Sequence, residues 1–385
     1  MARRILVILG TRPEAIKLAP LVRALRAAGD FEVRVASTGQ HREMLWDALR
    51  IFELTADYAL DAMRAAQTQS ELLGTMLPQL SAVLREFAPD CVVVQGDTAT
   101  TFCGALAGYL HQCCVVHVEA GLRTGDKFAP FPEEMYRRMV ADIADVHCAP
   151  TPLARDHLLR EGVAADHIFV TGNTAIDALR WVLANTSPQW PADLIARGVK
   201  PTAQRVVLIT CHRRESFGAE MAAIMGAIRT LASRHPLVLF VFPVHLNPEV
   251  SDLAHAALGN IANVILTSPL DYAVFAHLLN VCYLVMTDSG GIQEEAAELG
   301  RPVLVMRRTT ERMEGVTAGT ALLVGVEAAE IERHATRLLT DSAAYAQHAV
   351  PARVYGDGAA AAQIVQILRT VLSAPGKNLG AFDDR

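Results

Sequence analysis

Residues 5–17 read ILVILGTRPEAIK, an apolar run that ends in a glycine, a threonine, an arginine and a proline. A short apolar stretch after Arg3-Arg4, with no long hydrophobic region, predicts a buried parallel strand rather than an export signal. Gly10 permits a tight turn, and Pro13 suits a first helical position. Arg12 and Lys17 then stand five residues apart around a helix start, where free backbone N–H groups already favour an anion. An arginine beside a proline is a poor surface filler and a good fork for phosphate, so the junction predicts a diphosphate-binding turn. The bland alternative is an ordinary βα turn with two surface cations.

The same alternation of apolar runs and amphipathic stretches continues along the chain. Strands are expected at 4–9, 32–37, 91–95, 114–118, 145–148 and 167–170. After the polar, proline-containing segment 187–204 a second series follows, near 205–210, 237–242, 263–266, 282–286 and 302–305. Each series is a βαβ progression and implies a parallel sheet covered on both faces. The fold class is therefore α/β, with two Rossmann-like domains at 1–178 and 179–356, a linker region within 180–204 and a closing helix at 357–373. Neither domain opens with G-x-G-x-x-G, which disfavours a nicotinamide site. Ligands of open α/β sheets bind beyond the carboxyl ends of the strands, so the expected site is the cleft that the two domains face.

Composition narrows the partners. A chain of 385 residues is too long for one ordinary core, and 51% hydrophobic with 20% charged residues describes a soluble globular enzyme rather than a disordered or membrane protein. No apolar run reaches the roughly 20 residues needed to span a bilayer, and the cytoplasm is the expected compartment. The formal net charge of −6 argues against a nucleic-acid binder. Cys91, Cys103, Cys113, Cys114, Cys148, Cys211 and Cys282 show no paired metal spacing and read as small reduced core residues. Scattered histidines and the HVE at 117–119 make no convincing ligand set, so neither a metal nor another cofactor is expected.

Several chemically capable residues fall at strand ends. Asp97 follows the strand 91–95 and Gly96; its bland role is the N-cap of the next helix. Glu119 closes an apolar strand and needs a partner or a task, because an unpaired buried carboxylate is costly; Arg123 is the structural candidate. Glu133 and Glu134 open a helix that continues through Tyr136, Arg137 and Arg138, where acidic residues offset the dipole. His212, Arg213 and Arg214 leave a strand of the second domain as an electropositive lip across from Arg12 and Lys17. Ser289, Gly290 and Gly291 start a helix where backbone N–H groups can reach a phosphate, with a glutamate one turn on able to accept from ribose hydroxyls.

GTRPEAIK at 10–17, TGQHREML at 38–45, GDT at 96–98, HVEAGLRTGD at 117–126, PEE at 132–134, TGNTAIDAL at 171–179, HRRESFG at 212–218, PVHLNP at 243–248, TDSGGIQEEA at 287–296 and TTER at 309–312 follow one another in order. Together they resemble the bacterial non-hydrolysing UDP-N-acetylglucosamine 2-epimerases over nearly the whole chain. The resemblance implies a glycosyltransferase-B type fold, with the closing helix returning to the N-terminal domain, and a homodimer. It implies Asp97, Glu119, Glu133 and His212 as catalytic residues. Arg12, Lys17, Arg137, Arg213, Ser289, Gly290, Gly291, Glu295 and Arg312 are implied as ligands of a UDP-sugar. Gln40 and His41 match a second, regulatory substrate site of some relatives, whereas Glu43 and Ala66 depart from it. Tyr136 stands where asparagine is usual, and Met313 where proline is usual.

The implied reaction is inversion at sugar carbon 2, by elimination of UDP to 2-acetamidoglucal and re-addition, supplying a precursor of bacterial surface polysaccharide. Competing readings are a hydrolysing 2-epimerase, a 2-epimerase of a modified UDP-sugar, a retaining glycosyltransferase and a non-catalytic UDP-sugar sensor.

Overall fold

Alternation along each central strand decides which helices it holds. In the computed structural model, which describes residues 2–39, 42–64, 67–190, 194–195, 204–213 and 217–373, Leu6 and Ile8 pack with Leu72, Met76 and Leu80 in one buried layer. The described residues divide into two compact units, Met1–Trp181 with Gly356–Arg385, and Val182–Tyr355.

The first unit contains strands β1 (Arg3–Leu9), β2 (Phe31–Ser37), β3 (Tyr58–Ala59), β4 (Cys91–Gln95), β5 (Cys114–Val118), β6 (Val146–Ala149) and β7 (Ile168–Val170). They form one parallel sheet in the order β3-β2-β1-β4-β5-β6-β7. Its helices are α1 (Arg12–Ala28), α2 (Arg42–Ile51), α3 (Gln69–Phe87), α4 (Ala99–Leu110), α5 (Glu133–Ile143), α6 (Pro152–Arg160) and α7 (Thr174–Asn185), the last of which carries the chain across the boundary between the units. The final helix, Ala360–Ser373, packs on α1, and Arg369 clamps Asp30 through contacts of 2.7 and 3.1 Å.

The second unit holds β8 (Val206–Thr210), β9 (Leu239–Pro243), β10 (Val264–Thr267), β11 (Leu284–Thr287), β12 (Val303–Val305) and β13 (Ala321–Leu323), again parallel, in the order β10-β9-β8-β11-β12-β13. Val207 and Ile209 of β8 pack with Ile224, Ile228 and Leu231, while Val206 and Leu208 pack with Val274, Leu278 and Leu279. A strand buried on both faces is apolar throughout, which is why these runs are so conspicuous in the sequence. No helix among the described residues is long and apolar enough to cross a membrane.

The structure adds two strands to the expected set, β3 and β13, both at sheet edges. They have two and three residues, too few to establish a period of two. The last helix starts at Ala360 rather than 357, because Asp357 is spent on a turn, accepting from the Ala359 N–H at 3.1 Å.

The strand order places the functional motifs. In each sheet the chain winds outward in one direction and then returns to the other side of its first strand, so the switch points lie between β1 and β4 and between β8 and β11. GTRPE follows β1, GDT follows β4, HRR follows β8 and TDSGG follows β11. Such points leave a crevice beyond the carboxyl ends of the strands.

Candidate active site

At the first switch point a buried carboxylate ties two motifs together. Thr11 caps α1 and Glu14 reaches back in a capping box. Glu14 accepts from the N–H groups of Gly10 and Thr11 at 3.1 and 2.7 Å and from the hydroxyls of Thr98 and Thr101 at 2.8 and 3.3 Å. Burial raises its pKa, and the same hydrogen bonds oppose that rise. The exit of β1 and the start of α4 thus share one carboxyl group. Gly10 is required by close approach: a Cβ there would lie 2.1 Å from the Thr100 hydroxyl and 2.2 Å from that of Thr38. Arg12, half-buried, follows immediately.

Asp97 does not cap α4; Thr98 does, with its side chain accepting from the Thr101 N–H. The Asp97 carboxylate pairs instead with Arg137 at 2.6 Å. Arg137 is buried and also grips Glu134 at 2.9 Å. Glu134, fully buried, accepts from the backbone N–H groups of Thr124 and Gly125 at 3.1 and 3.2 Å. Within the glutamate pair, therefore, the second residue organises the loop before α5. Glu133, the first residue of α5, remains half-buried beside it. Tyr136 fills the space behind, stacked on Phe102 at 5.3 Å and bonded to Gln69 at 3.3 Å.

Glu119 leaves β5 in the left-handed backbone region, with φ of 63°, an uncommon conformation for a non-glycine residue. One of its oxygens accepts from Gln95 and Asn173, each at 3.1 Å, and from the Lys17 ammonium. Arg123, the expected partner, is bound elsewhere: its guanidinium meets Glu161 at 2.6 Å, because the turn after Glu119 carries it toward α6. Lys17 lies within the buried face of α1, so its ammonium rests on Glu119. Beneath these groups His117 is bound to the Gly96 carbonyl at 2.7 Å. Burial pushes its pKa down to about 4, and that of its strand neighbour His147 to about 3.

At the second switch point Asp288, fully buried, accepts from the backbone N–H groups of His212 and Arg213 at 2.7 and 2.8 Å. The helix Gly290–Glu298 follows, and its N-cap residue Ser289 makes no capping bond through its side chain. Backbone donors at such an end attract anions. Gly290 admits close neighbours, since a Cβ there would lie 2.8 Å from the Glu311 carboxylate. Glu311 collects Arg213 at 3.5 Å, Arg307 at 2.8 Å and Arg312 at 3.0 Å, and Arg312 also pairs with Glu294 at 2.8 Å. Arg312 is buried within this network, and Met313, half exposed, begins the helix Met313–Thr317. Glu295 accepts from the Tyr272 hydroxyl at 2.8 Å.

Gln40 and His41 lie outside the described residues. The sequence gives Glu134 only a dipole-offsetting role at its helix start and singles out none of Glu14, Asn173, Asp288 and Glu311. Thr11-x-x-Glu14 is a legible capping box, and Glu134 and Glu311 stand within four residues of their arginines, whereas Asn173 and Asp288 meet partners distant in sequence.

Two parallel sheets with alternating helices, each with its switch point beside the first strand, define a protein of the glycosyltransferase-B structural class. The family model for UDP-N-acetylglucosamine 2-epimerase matches residues 23–369, and the chain belongs to that family. It is 50% identical to the UDP-N-acetylglucosamine 2-epimerase of Yersinia pestis, over 95% of this chain and 98% of the relative. The enzyme of the same description from Escherichia coli K12 is 46% identical, with 95% and 98% covered. The crystal structure of UDP-GlcNAc 2-epimerase from Neisseria meningitidis bound to UDP-GlcNAc superposes with a TM-score of 0.90 at 40% identity, covering 95% of this chain and all of that one.

Proposed function

We propose that the protein interconverts UDP-N-acetylglucosamine and UDP-N-acetylmannosamine without releasing the free sugar. The observation that carries this reading is Glu119, held at the β5 exit by Lys17, Gln95 and Asn173 on an adjacent strand end to Asp97. The proton on sugar carbon 2 is weakly acidic, because the neighbouring amide gives no stabilising enolate. Elimination avoids that difficulty. A base takes the carbon 2 proton, the bond between carbon 1 and the diphosphate oxygen breaks, and a carbon 1–carbon 2 double bond forms. Re-addition of UDP to carbon 1, with proton delivery to the opposite face of carbon 2, completes inversion.

Asp97, Glu119 and Glu133 are the proton-handling groups of this reading. Arg137 fixes the direction of the Asp97 carboxylate, and Lys17 does the same for Glu119. Arg12, His212, Arg213 and the backbone of Ser289, Gly290 and Gly291 stabilise the departing diphosphate; Glu295 takes the ribose, and Arg312 braces that side through Glu294 and Glu311. The family's crystal structure bound to UDP-GlcNAc supports the substrate class. A cytoplasmic homodimer completes the proposal, with light scattering as the check on its mass.

Proton NMR of the purified protein with UDP-N-acetylglucosamine in heavy water tests the reaction. The expected result is a manno isomer carrying deuterium at carbon 2. Stoichiometric UDP and free N-acetylmannosamine would make the protein a hydrolysing enzyme instead.

A further inference from the structure

Asp288 carries more than its backbone duties require. One oxygen, Oδ2, takes both N–H groups at the β8 exit. The other, Oδ1, is buried and accepts no hydrogen bond among the described residues, a costly state for a carboxylate. Two groups border the carboxylate: the thiol of Cys211, a weak donor, and the ring of His212, whose Nδ1 lies 3.4 Å from Oδ1. The His212 ring is itself confined, stacked on the ring of His245 with centroids 5.5 Å apart and planes 13° from parallel. The Nδ1–Oδ1 separation is slightly longer than an ordinary N–H···O hydrogen bond of about 2.7–3.2 Å.

We infer that Asp288 is a positioning residue that holds the ring proton of His212 on Nδ1 and stabilises its imidazolium, so that Nε2–H is presented to the leaving diphosphate. The same carboxylate fixes the backbone from which His212 projects, so ring direction and ring charge are set together. His212 is 39% exposed at its side chain, which leaves it accessible to a ligand while Asp288 is sealed behind it. A carboxylate behind a histidine selects one tautomer, because only the N–H form satisfies the buried acceptor. No covalent step is involved: the imidazolium keeps its proton and offers it as a hydrogen bond to a diphosphate oxygen gaining charge. The inference rests on the UDP-sugar reading for the identity of that anion, and on the geometry alone for the Asp288–His212 contact.

Nitrogen NMR of the full chain labelled with 15N-histidine reads the tautomer directly, and turnover of UDP-N-acetylglucosamine reads its consequence. In the unsubstituted protein Nδ1 should carry the proton. Asp288→Asn keeps an oxygen for the two backbone N–H groups but turns an amide donor toward the ring, so Nδ1 should lose its proton, leaving a neutral ring, and kcat should fall by about 100-fold or more, with a smaller change in KM. In a His212→Asn background, Asp288→Asn should cost less than about twofold further, because a contact made through His212 is already gone. An Nδ1 without a proton in the unsubstituted protein, an Nδ1 that keeps its proton in Asp288→Asn, or an equal loss in both backgrounds would each overturn the inference. Full turnover in His212→Asn alone would instead remove His212 from the reaction, while the nitrogen shifts still decide the contact.

Discussion

The ammonium of Lys17 rests on the carboxylate of Glu119, joining the buried face of α1 to the exit of β5 across 102 residues of sequence. Both side chains are largely withdrawn from water, at 11% and 6% exposure. At that depth the pair is costly to create and costlier to break, because removing one partner leaves a buried charge. The contact therefore links folding of the N-terminal unit to the charge state of a proposed catalytic group.

Lys17→Met should lower unfolding stability by about 3 kcal/mol, read from urea denaturation, because Glu119 loses its buried cation. Adding Glu119→Gln should restore part of that loss, since the neutral amide no longer needs the ammonium. Equal stability of Lys17→Met and the unsubstituted protein would show that water replaces the lysine at no cost.

Acid should destabilise the N-terminal unit through its buried histidines. Desolvation holds His117 at about 4 and His147 at about 3, below the ordinary 6.5, so the unfolded chain takes up protons first as pH falls. Their contribution is complete above pH 6.5 and is lost as pH drops through the window between 6.5 and the folded values. From pH 7 to 5 each histidine should cost about 2 kcal/mol. Glu14 works in the opposite sense, because its raised pKa means protonation relieves part of its burial cost. Comparing denaturation of the unsubstituted protein and His147→Leu at both pH values isolates one histidine; the variant should lose about 2 kcal/mol less.

Gly10→Ala should be poorly tolerated although the residue lies at a turn. The added methyl group would overlap the Thr38 and Thr100 hydroxyls, which are themselves bonded to each other at 2.9 Å inside the unit. Overpacking of this kind costs about 1–3 kcal/mol. A lowered melting midpoint, together with weakened UDP binding from a displaced Arg12, is the expected pair of results in calorimetry.

Arg12→Ala should weaken UDP binding by about tenfold to a hundredfold and leave the fold intact, since a charge-assisted arginine–phosphate bond is lost from a half-buried position. Isothermal titration measures this. Unchanged affinity would move the diphosphate away from the β1 exit.

The apolar runs 5–9, 91–95 and 206–210 by themselves determined two parallel α/β sheets, because a strand covered on both faces must be apolar throughout. Turn chemistry at GTRPE and TDSGG likewise marked two helix starts, since glycine, proline and capping residues act locally. The two-residue β3 and three-residue β13 escaped notice because pairing with a neighbouring strand, and no internal pattern, makes them strands. Tertiary structure alone decided the charge partners. Arg123 stands four residues from Glu119 yet binds Glu161, while Lys17 arrives from another helix; Asp97 takes Arg137 and yields the helix cap to Thr98. The physical reason is that a buried carboxylate selects its cation by direction and depth, and both are set by how strands and helices pack.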